Sequence, residues 1–205
     1  MPLQMKTTTE IKTLVLGGAR SGKSSYAESI AIESGKRLIY IATAKALDEE
    51  TQQRVAHHKK HRSGLGWKTI EEPLALAASL KKWAKPDSVI LVDCLTMWIT
   101  NLLSEKEDNE EAHPPTFTSC KSGGVCLALL HKEVEALLAC VNTLPCDVIF
   151  VSNEVSMGII PMGELTRQYV DEAGRLHQQL AQQVENVILM VAGLPHKIKT
   201  HGELN

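Results

Sequence analysis

The sequence predicts an α/β fold, a mainly parallel sheet with flanking helices, and three observations carry that expectation. Short β-branched or aliphatic runs alternate with longer segments of helical period. The first such run passes directly into a glycine-rich turn that opens a helix. Another, Val89-Ile90-Leu91-Val92-Asp93, ends abruptly in a carboxylate. With 205 residues, 43% of them hydrophobic, the chain can bury one sizeable core, so a single domain over residues 1–205 is expected.

Taken in order, the first strand is expected at Thr13–Leu16. A helix follows over Lys23–Ser34 and stops at Gly35, whose freedom at positive φ suits a helix end. The second strand is Leu38–Ala42. The segment Asp48–Arg62 has helix-forming residues but almost no apolar stripe, Val55 and Ala56 being the main exceptions. Core burial cannot hold such a helix, so it should project over a site, a partner or solvent. Trp67–Ile70 is the third strand, and Pro73–Ala84 a helix with Pro73 in its first turn, where the missing N–H has no intrahelical role. Ser88–Val92 is the fourth strand. Ser104–Gly124 is acidic and then rich in Pro, Ser, Thr and Gly, the composition of a long flexible surface loop, either a neutral insertion or a lid. Helix Val125–Val141, strand Asp147–Val151, helix Glu164–Glu185 and strand Val187–Val191 complete the set.

Lysine and arginine number 22 against 24 acidic residues, a net charge of −2. There is no global basic field to attract nucleic acid or anionic lipid, so any anion site must be local. Met1–Thr13 lacks the apolar core of a signal peptide, and no apolar stretch approaches the ~18 residues needed to span a bilayer. A cytoplasmic protein without stable membrane insertion is expected. Cys94, Cys120, Cys126, Cys140 and Cys146 are odd in number and lack paired C-x₂-C spacing, so they read as reduced thiols.

Gly17-Gly18-Ala19-Arg20-Ser21-Gly22-Lys23-Ser24 matches G-x-x-x-x-G-K-[ST] in full, after an aliphatic strand and before a helix. Glycines permit the turn and let backbone N–H groups approach phosphate oxygens, while the helix adds its positive N-terminal end. Lys23 supplies a point charge to the outer phosphates, and the Ser24 hydroxyl is placed to ligate Mg²⁺. Asp93, closing its aliphatic strand, is the second expected Mg²⁺ ligand. The expected sheet is thus of the P-loop NTPase type, in the RecA-like arrangement. ATPases, GTPases and small-molecule kinases all use this loop, so it does not fix the reaction. The guanine-reading Asn-Lys-x-Asp element of switch GTPases is absent; Ser152-Asn153-Glu154-Val155 is the nearest string and does not match.

On the polar segment, helical spacing brings Arg54, His57, His58 and His61 within a turn or two of one another, with Lys59, Lys60 and Arg62 nearby. These residues alone leave three possibilities. They form a solvated basic face, or His57 and His61 at i, i+4 hold a metal, although no third ligand is evident. In the third, a neutral imidazole attacks phosphorus, since an unperturbed pKa of ~6.5 leaves a lone pair near neutrality. Attack at the α-phosphorus would leave the phosphate loop holding the departing pyrophosphate.

These motifs resemble the bifunctional adenosylcobinamide kinase / adenosylcobinamide-phosphate guanylyltransferase family of cobalamin biosynthesis. The resemblance runs through the phosphate loop, Tyr40-Ile41-Ala42-Thr43-Ala44, the Asp48–Arg62 segment, Trp67-Lys68-Thr69-Ile70-Glu71 and Val92-Asp93-Cys94-Leu95-Thr96. It continues through Thr100-Asn101-Leu102-Leu103, Ser152-Asn153-Glu154-Val155, Gly158-Ile159-Ile160-Pro161, Gly174-Arg175 and Val191-Ala192-Gly193-Leu194-Pro195. It implies phosphorylation of the aminopropanol hydroxyl of adenosylcobinamide by ATP or GTP, then transfer of GMP from GTP to the new phosphate. It also implies a homo-oligomer, trimeric in the family, acting on this corrinoid with Mg²⁺.

The family's guanylylated histidine falls on the first of the adjacent pair, His57, with His58 the fallback, and Lys23 is the other expected catalytic residue because its charge stabilises the phosphates. Guanine-nucleotide contacts carry over to the phosphate loop, to Ile41, Ala42 and Thr43, to His58, Lys59, Lys60 and His61, to Glu71, and to Asp93. The family commonly shows Gly-Met-Gly after Asn-Glu-Val, where this chain has Ser156-Met157-Gly158. Two rivals remain on the residues: a P-loop kinase for another small metabolite, and a non-catalytic GTP-binding regulatory module.

Overall fold

A computed structural model describes residues 10–45, 64–105 and 123–200, with the backbone alone given at 123–126. The Asp48–Arg62 segment, Cys120 and most of the expected 104–124 loop lie outside the described residues.

Seven strands form one sheet. They are β1 Lys12–Gly17, β2 Arg37–Ala42, β3 Lys68–Glu71, β4 Ser88–Asp93, β5 Asp147–Asn153, β6 Asn186–Val191 and β7 Leu194–Lys199. Their order is β3-β2-β4-β5-β1-β6-β7. Every pairing is parallel except β6 with β7. The described helices are α1 Lys23–Glu33, α2 Leu76–Trp83, α3 Leu95–Ser104, α4 Gly123–Val141 and α5 Glu164–Gln183. β5 therefore stands between β1, which feeds the phosphate loop, and β4, which ends at Asp93, as the RecA-like arrangement requires.

Both sheet faces are covered, which is why the central strands read as continuous apolar runs instead of alternating ones. Leu14 and Leu16 of β1 face one way with Ile90, Val92, Val148 and Phe150, into the core closed by α2 to α5. Val15 faces the other way with Leu91, Ile149, Val151 and Met190, where Ala27 and Ala31 of α1 pack. Small residues on that helix let it lie close to the sheet.

Several expected boundaries shift, for local reasons. α1 stops one residue early and Gly35 adopts φ 65°, the predicted helix stop. α2 starts at Leu76 and not at Pro73, because the Glu72 carboxylate accepts from the N–H groups of Leu74 and Ala75 and caps the turn before it. Pro73 instead presents its carbonyl to Asn101 Nδ2 at 3.1 Å. The described ends of the expected loop are helical, Ser104 closing α3 and Gly123 opening α4.

Two elements have no counterpart in the sequence-based expectation. α3 follows β4 after a single residue, and its Leu95, Trp98, Ile99 and Leu102 are fully buried, so it lacks the polar face that marks a surface helix. β7 returns antiparallel through a two-residue turn in which Ala192 has φ 50° and Gly193 φ 82°. Positive φ at both central residues is the turn that matches strand twist, but its usual signal is Asn-Gly, and alanine hides it. Among the described residues, Cys94, Cys140 and Cys146 are free thiols and no helix is long and apolar enough to cross a membrane.

An alanine held in the left-handed region carries a steric cost that asparagine tolerates better. Ala192→Asn is expected to stabilise the fold by about 0.5–1 kcal/mol, a rise in melting temperature of about 1–4 °C in a chain of this length. A thermal melt showing no rise would mean that the turn is not strained.

Candidate active site

The phosphate loop leaves β1 through a constriction. A Cβ on Gly17 would collide with Ser21 Oγ and meet the Met190 carbonyl oxygen at 2.9 Å, so no side chain fits there. Arg20 (φ 57°) and Gly22 (φ 90°) turn the chain back into α1. The loop is also fastened from outside: Gly193 N donates to Ser21 O at 3.0 Å and Glu154 N donates to Gly17 O at 3.0 Å. Lys23 Nζ folds over the turn onto Gly18 O at 3.2 Å. The Ser21 hydroxyl is buried without a hydrogen-bond partner among the described residues, a donor left for a ligand oxygen.

Asp93 is two strands along the same carboxyl edge, roughly 10 Å from β1 at ~4.8 Å per strand spacing. Its Oδ2 accepts from the Tyr40 hydroxyl at 2.8 Å, while Oδ1 accepts no hydrogen bond from the described residues. Lys23 and Asp93 act in opposite senses on the Cys94 thiol. Burial pushes that thiol up, Asp93 adds to the push, and Lys23 opposes it, so Cys94 stays protonated.

Buried polar groups pin the strand tips around these two features. Thr43 Oγ1 donates to Cys94 O at 2.7 Å and accepts from Cys94 N at 2.9 Å. Asn101 Nδ2 holds Thr43 O at 2.6 Å. Thr96 Oγ1 accepts from Asn153 Nδ2 at 3.3 Å. Burial pushes the Tyr169 phenol up to about 12, with the hydroxyls of Thr96 and Thr100 opposing the shift, so it remains neutral. Ser152 Oγ and His177 Nε2 pair at 2.7 Å under the end of β5. A cavity of about 300 Å³ lined by Ile11, Thr13, Ile149, Asn186 and Lys197 lies at the opposite ends of the strands, away from this chemistry.

Residues 13–198 match the family described as cobinamide kinase / cobinamide phosphate guanyltransferase. The chain belongs to this family. It is 47% identical over 189 residues to the bifunctional adenosylcobalamin biosynthesis protein CobP of Pseudomonas aeruginosa, a match covering 92% of this chain and 98% of that protein. To the bifunctional adenosylcobalamin biosynthesis protein CobU of Escherichia coli it is 36% identical over 186 residues, 91% of this chain and 98% of that one. Among solved structures, the RadB recombinase aligns with a TM-score of 0.45 at 17% identity, over 87% of this chain and 73% of that chain.

In this member of the cobinamide kinase / guanyltransferase family, the residues predicted for the site fall into three groups. Gly17, Gly18, Ala19, Arg20, Ser21, Gly22, Lys23 and Ser24 form one loop, with Asp93 across β5 from it. Ile41 and Ala42 end β2 and Thr43 follows it, beside Asp93, which is in register with Ala42. The Ile41 and Thr43 side chains are both 0% exposed, so those two face the interior. Glu71 ends β3, four strands from β1 and roughly 19 Å away at ~4.8 Å per spacing, so the sheet alone does not bring it to the loop. His57, His58, Lys59, Lys60 and His61 lie outside the described residues.

Tyr40, Asn101 and His177 act through partners distant in sequence, so their roles are not marked by local spacing. For two of them the signal was a polar side chain on a helix face otherwise buried, namely Asn101 on α3 and His177 on α5.

Gly17→Ala is expected to cost about 1–3 kcal/mol of stability by overpacking and to abolish GTP binding, read by urea unfolding and by calorimetric titration. Normal GTP affinity in that variant would remove the constriction from the site. Burial pushes the His177 imidazole below its ordinary 6.5, with Glu154 pulling it partly back. Its contribution to stability is therefore complete above about 6.5 and lost as pH falls through the lower folded value, because the unfolded chain takes up the proton more readily. The urea midpoint should drop between about pH 7.5 and about pH 5.5, and His177→Gln should flatten that drop. Equal slopes in the two proteins would show that His177 does not drive the pH dependence.

Proposed function

We propose that this chain phosphorylates the aminopropanol hydroxyl of adenosylcobinamide with ATP or GTP and then transfers GMP from GTP to the new phosphate, giving adenosylcobinamide-GDP. The observation that carries this reading is a family match over residues 13–198 that includes an intact phosphate loop and Asp93. Both reactions cleave a triphosphate, at different bonds, so one loop serves both.

In the kinase reaction the loop N–H groups and Lys23 stabilise charge on the phosphates as the γ-phosphoryl group leaves. In the transferase reaction His57 attacks the α-phosphorus of GTP, and the bond to the β-phosphate oxygen breaks. The same groups then receive the charge of the departing pyrophosphate. The phosphate of the corrinoid substrate next displaces His57 from the guanylyl group and forms the diphosphate link.

Ser24 and Asp93 would hold Mg²⁺. A hydroxyl and a carboxylate with one open oxygen suit an ion that takes most of its ligands from phosphate and water. When bound, that ion supplies positive charge against the triphosphate oxygens. The enzyme works in the cytoplasm as a homo-oligomer, a trimer on the family's resemblance, with His58, Lys59, Lys60, His61, Ala42 and Glu71 contacting the guanine nucleotide.

Incubation with α-labelled GTP should leave label on the protein that is lost in acid and retained in base, as a phosphoramidate requires. His57→Ala should abolish labelling while GTP still binds. A wild type that takes up no label, or a His57→Ala variant that labels normally, overturns the guanylyl-histidine assignment.

A further inference from the structure

Phosphorylation of an alcohol needs a group that takes the hydroxyl proton as the O–P bond forms. The described carboxylates on the carboxyl edge can be sorted by what already engages them. Asp93 holds the Tyr40 hydroxyl on one oxygen and is assigned to the metal with the other. Glu72 caps the turn before α2, and Glu105 pairs with Lys45 at 2.9 Å. Glu71 stands at the tip of β3, four strands from the phosphate loop.

Glu154 differs from all of these. It directly follows β5, the strand between the phosphate loop and Asp93, and its N–H is bonded to the first glycine of the loop, Gly17 O, at 3.0 Å. Its Oε1 accepts from Ser156 N and Ser156 Oγ. Its Oε2 accepts no hydrogen bond from the described residues, and the residue is half-buried. The backbone beneath it is fixed on both sides, by the buried Ser152–His177 pair at 2.7 Å and by the Asn153–Thr96 bond at 3.3 Å.

From this placement, and resting on the kinase half of the function proposed above, we infer that Glu154 is the proton acceptor for the corrinoid hydroxyl. The hydroxyl oxygen bonds to the γ-phosphorus. The bond from that phosphorus to the bridging oxygen breaks, and its electron pair leaves with the nucleoside diphosphate. The hydroxyl proton passes to Glu154 Oε2. Ser156 orients the carboxylate by occupying the other oxygen.

Glu154→Gln tests this directly, because an amide oxygen can still accept both bonds from Ser156 and so keeps the turn, while the basic oxygen is gone. With ATP and adenosylcobinamide, kcat should fall about 10²-fold or more, with KM for ATP and melting temperature close to wild type. Glu154→Asp should recover part of the rate. A Glu154→Gln enzyme with wild-type kcat overturns the assignment and leaves Glu154 a turn cap, as does a loss confined to KM or accompanied by unfolding. A wild type that phosphorylates no corrinoid overturns the functional reading and this assignment with it. Activity in wild type together with full activity in Glu154→Gln overturns this assignment alone.

Discussion

The absence of a side chain at Gly17 is the constraint from which the rest of the edge follows. β1 runs between β5 and β6, and its last residue passes so close to the Met190 carbonyl and the Ser21 hydroxyl that any Cβ would collide with both. The turn can then fold back over the strand end, its outer side held by Gly193 and its inner side by Glu154. Met190 and Gly193 belong to β6 and the turn after it, so the terminal hairpin, far away in sequence, is part of the phosphate loop's mould. Gly22 lies against the same hairpin less tightly, a Cβ there meeting Gly193 Cα at 3.3 Å. A preformed loop gives its N–H groups to phosphate without ordering them at the moment of binding.

The remainder of the edge is held by buried polar bonds that tie one strand tip to the next. Thr43 and Cys94 exchange two bonds across β2 and β4, Asn101 joins Thr43 to Pro73, and Asn153 reaches Thr96 from β5. Such a network is strong only when each member is satisfied, because an unpaired polar group in a low-dielectric interior is costly. Here the bonds to Thr43, Cys94 and Pro73 fix the connections that leave the strands, and the Asn153–Thr96 bond ties β5 to α3. Tyr40 completes the pattern by orienting Asp93 while leaving one oxygen open. Rigid groups aimed at developing charge suit phosphoryl and nucleotidyl transfer alike, which explains how one edge serves two reactions.

Much of this was legible in the sequence. Strands β1, β2, β4, β5 and β6 announced themselves as aliphatic runs, since parallel strands covered on both faces have no polar side, whereas β3 at the sheet edge is largely exposed. The phosphate loop was legible because backbone geometry dictates its glycines and charge dictates its lysine. α3 was not, because a helix buried all round carries no amphipathic stripe, and its ten residues followed a strand without a turn signal. β7 was hidden by alanine at a position that asparagine or glycine usually marks. The polar network was illegible because its partners stand tens of residues apart, Thr43 and Asn101 by 58 and Ser152 and His177 by 25.

By itself the sequence determined the fold class, the phosphate loop, Asp93 and the family, because each depends on local spacing or on resemblance along the chain. Only the tertiary structure decided which polar groups meet, that Glu154 stands between the loop and Asp93, and that Glu71 stands four strands from the loop. The physical reason is strand order. A parallel sheet sets strand tips side by side in an order unrelated to their order in the chain, and the chemistry of its edge belongs to that spatial order.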